Sequence, residues 1–221
     1  MKKFSKKWIA AAALLGLGGV ASAQSAGSWM LRAGVTSIAP QVSSGDLSPV
    51  SWAGTRVDIN SATQLGGGVT YMYTDHLAVD VPLALPFTHD IMGDGAIKGV
   101  GKIGETKALP ITVFAQYRFM DANAKFRPYV GLGATYAKFF KAKGTATLSA
   151  LTGGSPTSLS IESKLAPSFE GGVAMPLNDK WFVDLFVSKT LLKNRTTLST
   201  GQTIDVTLDP LSYGLAVGYK F

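Results

Sequence analysis

The sequence of 221 residues contains no cysteine. Disulfide staples, a thiol nucleophile and a cysteine-built metal site are therefore excluded. Histidine is nearly as scarce, with only His76 and His89 in the chain. Set among scattered acids, the two make no metal-ligand spacing. A hydrolytic triad lacks its parts as well: His76 falls in a tight turn, the neighbouring side chains of His89 and Asp90 diverge on a strand, and no Gly-x-Ser-x-Gly is present. Nucleophile, base and orienter are not assembled, so the enzyme reading is set aside and neither cofactor nor metal is expected. Charged residues make up 16% of the chain. Beyond residue 23 there is no uninterrupted apolar run of the ~20 residues that a spanning helix needs. That excludes a helical inner-membrane protein but not a membrane protein built of strands.

What is present begins with a leader. Lys2, Lys3, Lys6 and Lys7 precede an apolar stretch at 8–20, and Ala21-Ser22-Ala23 follows. These are the parts of a cleavable secretory signal, too short and wrongly flanked for a spanning helix. The mature chain is expected to begin at Gln24 and to form one domain over 24–221. Removing the four lysines lowers the formal net charge from +7 to about +3, so the high isoelectric point implies no nucleic-acid partner.

The C-terminal stretch is the clearest strand. Leu211, Tyr213, Leu215, Val217, Tyr219 and Phe221 alternate with Ser212, Gly214, Ala216, Gly218 and Lys220. A period of two with one apolar face and one small or polar face is a β-strand. Its length suits a tilted strand crossing a bilayer, and its aromatics sit near the ends, where an interfacial girdle lies. The last strand of a soluble sandwich or lipocalin-like barrel would read similarly. The same alternation recurs at 28–39, 64–74, 77–85, 109–120, 127–139, 164–177 and 181–189.

Connection length separates these readings. Long segments at 41–62, 86–106, 140–161 and 190–203 alternate with short turns at Asp75-His76, 121–124 and Asn178-Asp179. A soluble sandwich shows no such alternation. We therefore expect an all-β fold: an eight-stranded antiparallel up-and-down transmembrane β-barrel with short periplasmic turns and long extracellular loops. Eight strands leave an interior that side chains nearly fill.

Several segments carry a family resemblance. Leu85-Pro86-Phe87-Thr88-His89-Asp90-Ile91, Leu109-Pro110, Gln116-Tyr117, residues 127–133 (Arg-Pro-Tyr-Val-Gly-Leu-Gly) and the terminal Gly218-Tyr219-Lys220-Phe221 resemble the outer membrane protein W family in order and spacing, across essentially the whole mature chain. The long loops depart most. The resemblance implies a barrel in the outer membrane of a Gram-negative bacterium. It also implies a narrow hydrophobic channel, open outward and blocked toward the periplasm, that passes small hydrophobic molecules sideways into the bilayer. Relatives include alkane-uptake proteins. Expected partners are outer-membrane lipid, small hydrophobic ligands and the barrel-assembly machinery, which would engage the C-terminal strand at Phe221.

The residues add candidate sites. Alternation places Arg32, Asp80, Arg118, Glu170, Asp184 and Lys220 inward. Charges in so narrow a lumen must pair, which predicts an ion-pair network, read either as a plug or as ordinary satisfaction of buried charge. Trp52, Leu85, Phe87, Ile91, Phe139 and Phe140 are candidates for an apolar outer mouth, or for a cap or girdle. Pro82, Pro86, Pro110 and Pro167 withhold N–H groups from the ladder, which suits either a lateral opening or a bulge. A barrel serving structure or host contact without transport is the rival reading. An apolar, open mouth favours transport, whereas a polar, filled one favours structure.

Overall fold

In the computed structural model, residues 24–221 are described. The expected leader, 1–23, lies outside them. The elements run β1 (Trp29–Ala39), β2 (Ser43–Ser44), β3 (Thr55–Ile59), β4 (Ala62–Met72), β5 (Leu77–Ala84), β6 (Phe87–Gly95), β7 (Lys102–Arg118) and β8 (Arg127–Gly144). A short helix α1 (Ala146–Leu151) follows, then β9 (Leu159–Ile161), β10 (Lys164–Pro176), β11 (Trp181–Thr190), β12 (Lys193–Leu198), β13 (Thr203–Thr207) and β14 (Leu211–Lys220).

Eight antiparallel strands close the barrel in the order β4, β5, β7, β8, β10, β11, β14, β1, with β1 returning to β4. Closure pairs the first strand with the last, from Met30 opposite Lys220 to Ala39 opposite Leu211. No edge strand is left to seek another chain, and the wall satisfies its ladders internally except for a gap between β5 and β7. Outward positions are apolar and half exposed, among them Leu31, Val35, Val79, Val113, Leu132, Leu185, Leu215 and Val217. At the periplasmic end Trp29 packs on Tyr71 at 4.8 Å, Trp181 on Tyr219 at 5.0 Å and Tyr219 on Phe221 at 4.9 Å. These rings form the girdle expected there.

The long loops are structured. The stretch expected as loop at 86–106 holds β6 and the first turn-ward residues of β7, which pair and carry the wall upward. β3 pairs with β6. Segments from the first, third and fourth loops build a separate sheet in the order β2-β13-β12-β9. Threonine and asparagine on its strands made these stretches read as loop, yet Leu192, Asn194 and Leu198 alternate with Lys193, Arg195 and Thr197, the first set buried and the second exposed.

Interior packing follows one rule repeated. A bulky inward side chain sits opposite glycine on the next strand: Arg32 on Gly68, Glu170 on Gly131, Tyr129 on Gly172, Phe182 on Gly218. A Cβ at Gly68 would lie 2.8 Å from Arg32 Nη2, and one at Gly131 2.6 Å from Glu170 Oε1. A narrow barrel has room for large groups only where the neighbouring strand offers bare backbone.

Candidate functional site

The lower lumen is polar and full. Arg32 reaches from β1 to Asp80 on β5 through two hydrogen bonds, Nη1 to Oδ1 at 2.6 Å and Nη2 to Oδ2 at 2.7 Å. Its Nε lies 3.5 Å from Asp184 Oδ2. Thr70 donates to Asp80 and accepts from Arg32, and the Tyr129 hydroxyl donates to Asp184 at 3.1 Å. A second chain runs beside this cluster. Arg118 donates to Gln116 Oε1 at 2.9 Å and to Gln24 Oε1 at 2.9 Å, and Gln116 Nε2 donates to Glu170 at 2.7 Å. The Arg118 guanidinium also lies 4.7 Å from the Tyr129 ring centroid, a cation–π contact that helps a desolvated cation. Arg127 closes the periplasmic end by donating to the backbone carbonyls of Gln24, Asp75 and Phe119.

The upper lumen is apolar and open. A cavity of ≈ 180 Å³ is lined by Ile38, Leu47, Val57, Phe87, Ile91, Ile103, Phe139, Leu192, Ile204 and Val206, with Arg32 and Glu170 among its lining residues from below. Roughly 150 Å³ of dry apolar space is enough to hold benzene. Between cavity and network runs a chain of hydroxyls across four strands: Thr112 to Thr135 at 2.8 Å, Thr135 to Ser168 at 2.6 Å, Ser168 to Thr190 at 2.9 Å. Above Leu85 the outer face turns charged. Lys102 there bridges Asp90 at 2.6 Å and Glu105 at 2.8 Å, which raises the lysine's proton affinity and lowers that of Glu105. His89, in this upper part, is buried with Nδ1 2.8 Å from the Asn60 carbonyl oxygen, and burial pushes its pKa below the usual imidazole range.

One side of the wall is interrupted. β5 pairs with β7 from Leu77 opposite Tyr117 to Asp80 opposite Phe114, and pairing resumes where Phe87 of β6 meets Ala108. Between 81–86 and 109–113 no ladder is made, while 81–84 stay paired with β4 and 109–113 with β8. Pro82, Pro86 and Pro110 lie in this stretch, and Pro82, Ala84 and Pro110 also line the cavity.

Comparison with known proteins places this architecture. Residues 25–221 match the profile of the OmpW family. The chain belongs to the OmpW family. It is 36% identical to outer membrane protein W of Vibrio cholerae serotype O1, over 88% of this chain and 89% of the relative. The crystal structure of the outer membrane protein OprG from Pseudomonas aeruginosa superposes with a TM-score of 0.83 at 29% identity, covering 91% of this chain and 99% of that one. A more distant relative, at 25% identity over 87% of this chain and 88% of its own length, is the dibenzothiophene metabolism operon protein PahQ of Pseudomonas aeruginosa. This OmpW-family chain is thus a β-barrel of the Gram-negative outer membrane.

Sequence-predicted residues of this OmpW-family barrel fall into three groups. Arg32, Asp80, Arg118, Glu170, Asp184 and Lys220 are all buried. Their pairing is narrower than expected: within hydrogen-bonding distance Arg32 meets carboxylates, whereas Arg118 and Glu170 meet amide groups. Lys220 sits at the periplasmic end, its backbone opposite Met30. Of the mouth candidates, Phe87, Ile91 and Phe139 line the cavity. Trp52, at 72% exposure on a loop tip, Leu85, at 54% on the outer face, and Phe140 do not line it. Adjacent strand residues take opposite faces, so Phe139 and Phe140 could not both point inward. The ladder break holds Pro82, Pro86 and Pro110, while Pro167 keeps register opposite Ala134. Tyr129, Gln116, Thr70 and Arg127 were missed. Tyr129 and Arg127 share a face of β8, and that shared parity was the available signal.

Proposed function

We propose that this barrel is a passive conduit for small hydrophobic molecules, loaded from outside at the apolar mouth and emptied sideways into the outer membrane. The observation that carries the reading is the cavity's course. It begins among apolar side chains above the bilayer, ends below on buried charge, and touches the unpaired stretch of wall at Pro82, Ala84 and Pro110. A solute that is soluble in the cavity and cannot cross the ionic floor has the lipid as its remaining exit. Leu83 supports this: it lines the cavity and is also half exposed on the outer face. The name of the PahQ relative, from a dibenzothiophene metabolism operon, fits a hydrophobic cargo. In this reading Arg32, Asp80, Arg118, Glu170, Asp184 and Lys220 act as the plug against water and ions, no catalytic step occurs, and the strand ending at Phe221 is what the assembly machinery engages.

The test joins two measurements. Cells with and without the protein are compared for uptake of a labelled alkane or small aromatic, and the pure protein's conductance is measured in a planar bilayer. Faster hydrophobic uptake with little steady conductance is expected. Unchanged uptake would leave a structural or contact role, and large conductance with polar leakage would mean an open aqueous pore. Ala84→Phe, at the wall break, should slow uptake.

A further inference from the structure

The mouth is apolar, yet it holds polar atoms without partners. Thr106 and Asn194 line the cavity and are 3% and 5% exposed, and Thr106 Oγ1 and Asn194 Oδ1 make no hydrogen bond. The orientation of the Asn194 amide is fixed by its other end, where Nδ2 donates to the Glu162 carbonyl at 2.7 Å. A carbonyl only accepts, so the open atom is the oxygen, an acceptor. His89, directly opposite Thr106 across the β6–β7 ladder, also lines the cavity. Its Nδ1 faces the Asn60 carbonyl and must carry the proton, so the neutral ring leaves Nε2 as a second acceptor.

Two acceptors and one hydroxyl therefore belong to the lining of a space otherwise walled by aliphatic and aromatic groups, with Thr106 Oγ1 and Asn194 Oδ1 each showing less than 1 Å² of surface to it. The protein gives the two buried oxygens no partner, and such an orphan is costly, so a solute is favoured when it restores the missing hydrogen bond. A hydrocarbon restores nothing. An ether or ketone can accept from the Thr106 hydroxyl but offers no proton to Asn194 Oδ1 or His89 Nε2, and a carboxylate brings charge as well. A hydroxyl group donates to Asn194 Oδ1 or His89 Nε2.

We propose that the mouth selects apolar molecules bearing a hydroxyl donor, small alcohols and phenols, over the matching hydrocarbons and over analogues that can only accept. This rests on the cavity being the loading site proposed above, and the test separates the two. The purified protein in lipid nanodiscs is titrated with 1-naphthol, naphthalene and 1-methoxynaphthalene, with empty nanodiscs correcting for partition into lipid. The expected result is about two- to tenfold tighter binding of 1-naphthol than of the other two, the range one net hydrogen bond gives. Thr106→Val and Asn194→Leu should narrow the ratio of 1-naphthol to naphthalene affinity, whatever either does to naphthalene binding itself. Equal binding of all three probes overturns hydroxyl selection and leaves the hydrophobic conduit standing. Binding of none overturns both. A preference that survives both substitutions overturns the assignment to these atoms. If one variant fails to fold, the other variant and the wild-type series still decide.

Discussion

The lower and upper halves of the lumen share one wall and differ in what the inward positions carry. Below, Arg32, Asp80, Arg118, Gln116, Tyr129 and Asp184 are buried and bonded to one another. Above, the corresponding positions carry Ile91, Phe87, Val206 and Leu192, and space remains between them. Strand alternation is the same in both halves, but closure is not: below, the eight strands close the barrel, and above, extended wall strands and the separate sheet surround the space. The filled half is held by mutual satisfaction, since a desolvated charge is tolerable only with its partner in place. The open half leaves volume in which a solute can sit.

Removing a partner below should break the comparison most sharply. Arg32→Ala leaves Asp80 and Asp184, both 0% exposed, without their guanidinium, and should cost about 3–5 kcal/mol. The urea midpoint followed by tryptophan fluorescence in vesicles would read this, and an unchanged midpoint would mean that pairing does not hold the lower half. Leu215→Lys comes next, at roughly 2–4 kcal/mol if it sits near the bilayer midplane. Folding equal to wild type would mean that the outward face, and with it both lumen halves, is misassigned.

Gly68→Ala should cost about 1–3 kcal/mol, because the added methyl displaces the Arg32 guanidinium from its seat. Retained heat-modifiable gel mobility with raised ion conductance in the same variant would sharpen the picture of the floor. The smallest effect belongs to the upper half. His89 has a folded pKa below its unfolded one. As pH falls through about 6.5, the unfolded segment takes up a proton that the folded mouth resists, so the mouth loses stability on the acid side and not the alkaline side. The protection factors of β6 amides, which divide out the intrinsic pH dependence of exchange, should fall between neutral and mildly acid pH in wild type and stay flat in His89→Phe.

How much of this was legible follows from what a period of two can say. It assigns a face, so the inward burial of Arg32, Asp80, Arg118, Glu170 and Asp184 could be read from the chain. It does not assign a neighbour. Arg32 and Asp80 meet from β1 and β5 across β4, a matter of register and barrel stagger that no single strand records. Leu85 was legible and misplaced, for it continues the outward series of Leu77, Val79 and Leu83. Trp52 was not legible, because apolar character on a loop says nothing about which way the loop folds. The unpartnered Asn194 and Thr106 were hidden for a related reason: polar residues on β12 and at the top of β7 read as loop until the extra sheet and the upward extension of the wall give them an inside.

The small sheet above the barrel also has a place in time. Its strand β2, from the first loop, pairs with β13, from the last, so that Ser43 meets Thr207 and Ser44 meets Val206. Contacts between chain segments so far apart form only after the intervening chain has been laid down. The cap over the mouth therefore cannot be finished until the final strands have arrived, and its assembly becomes a signature of a completed barrel, one that a protease added from outside the cell could read by sparing the finished molecule and cutting the half-built one.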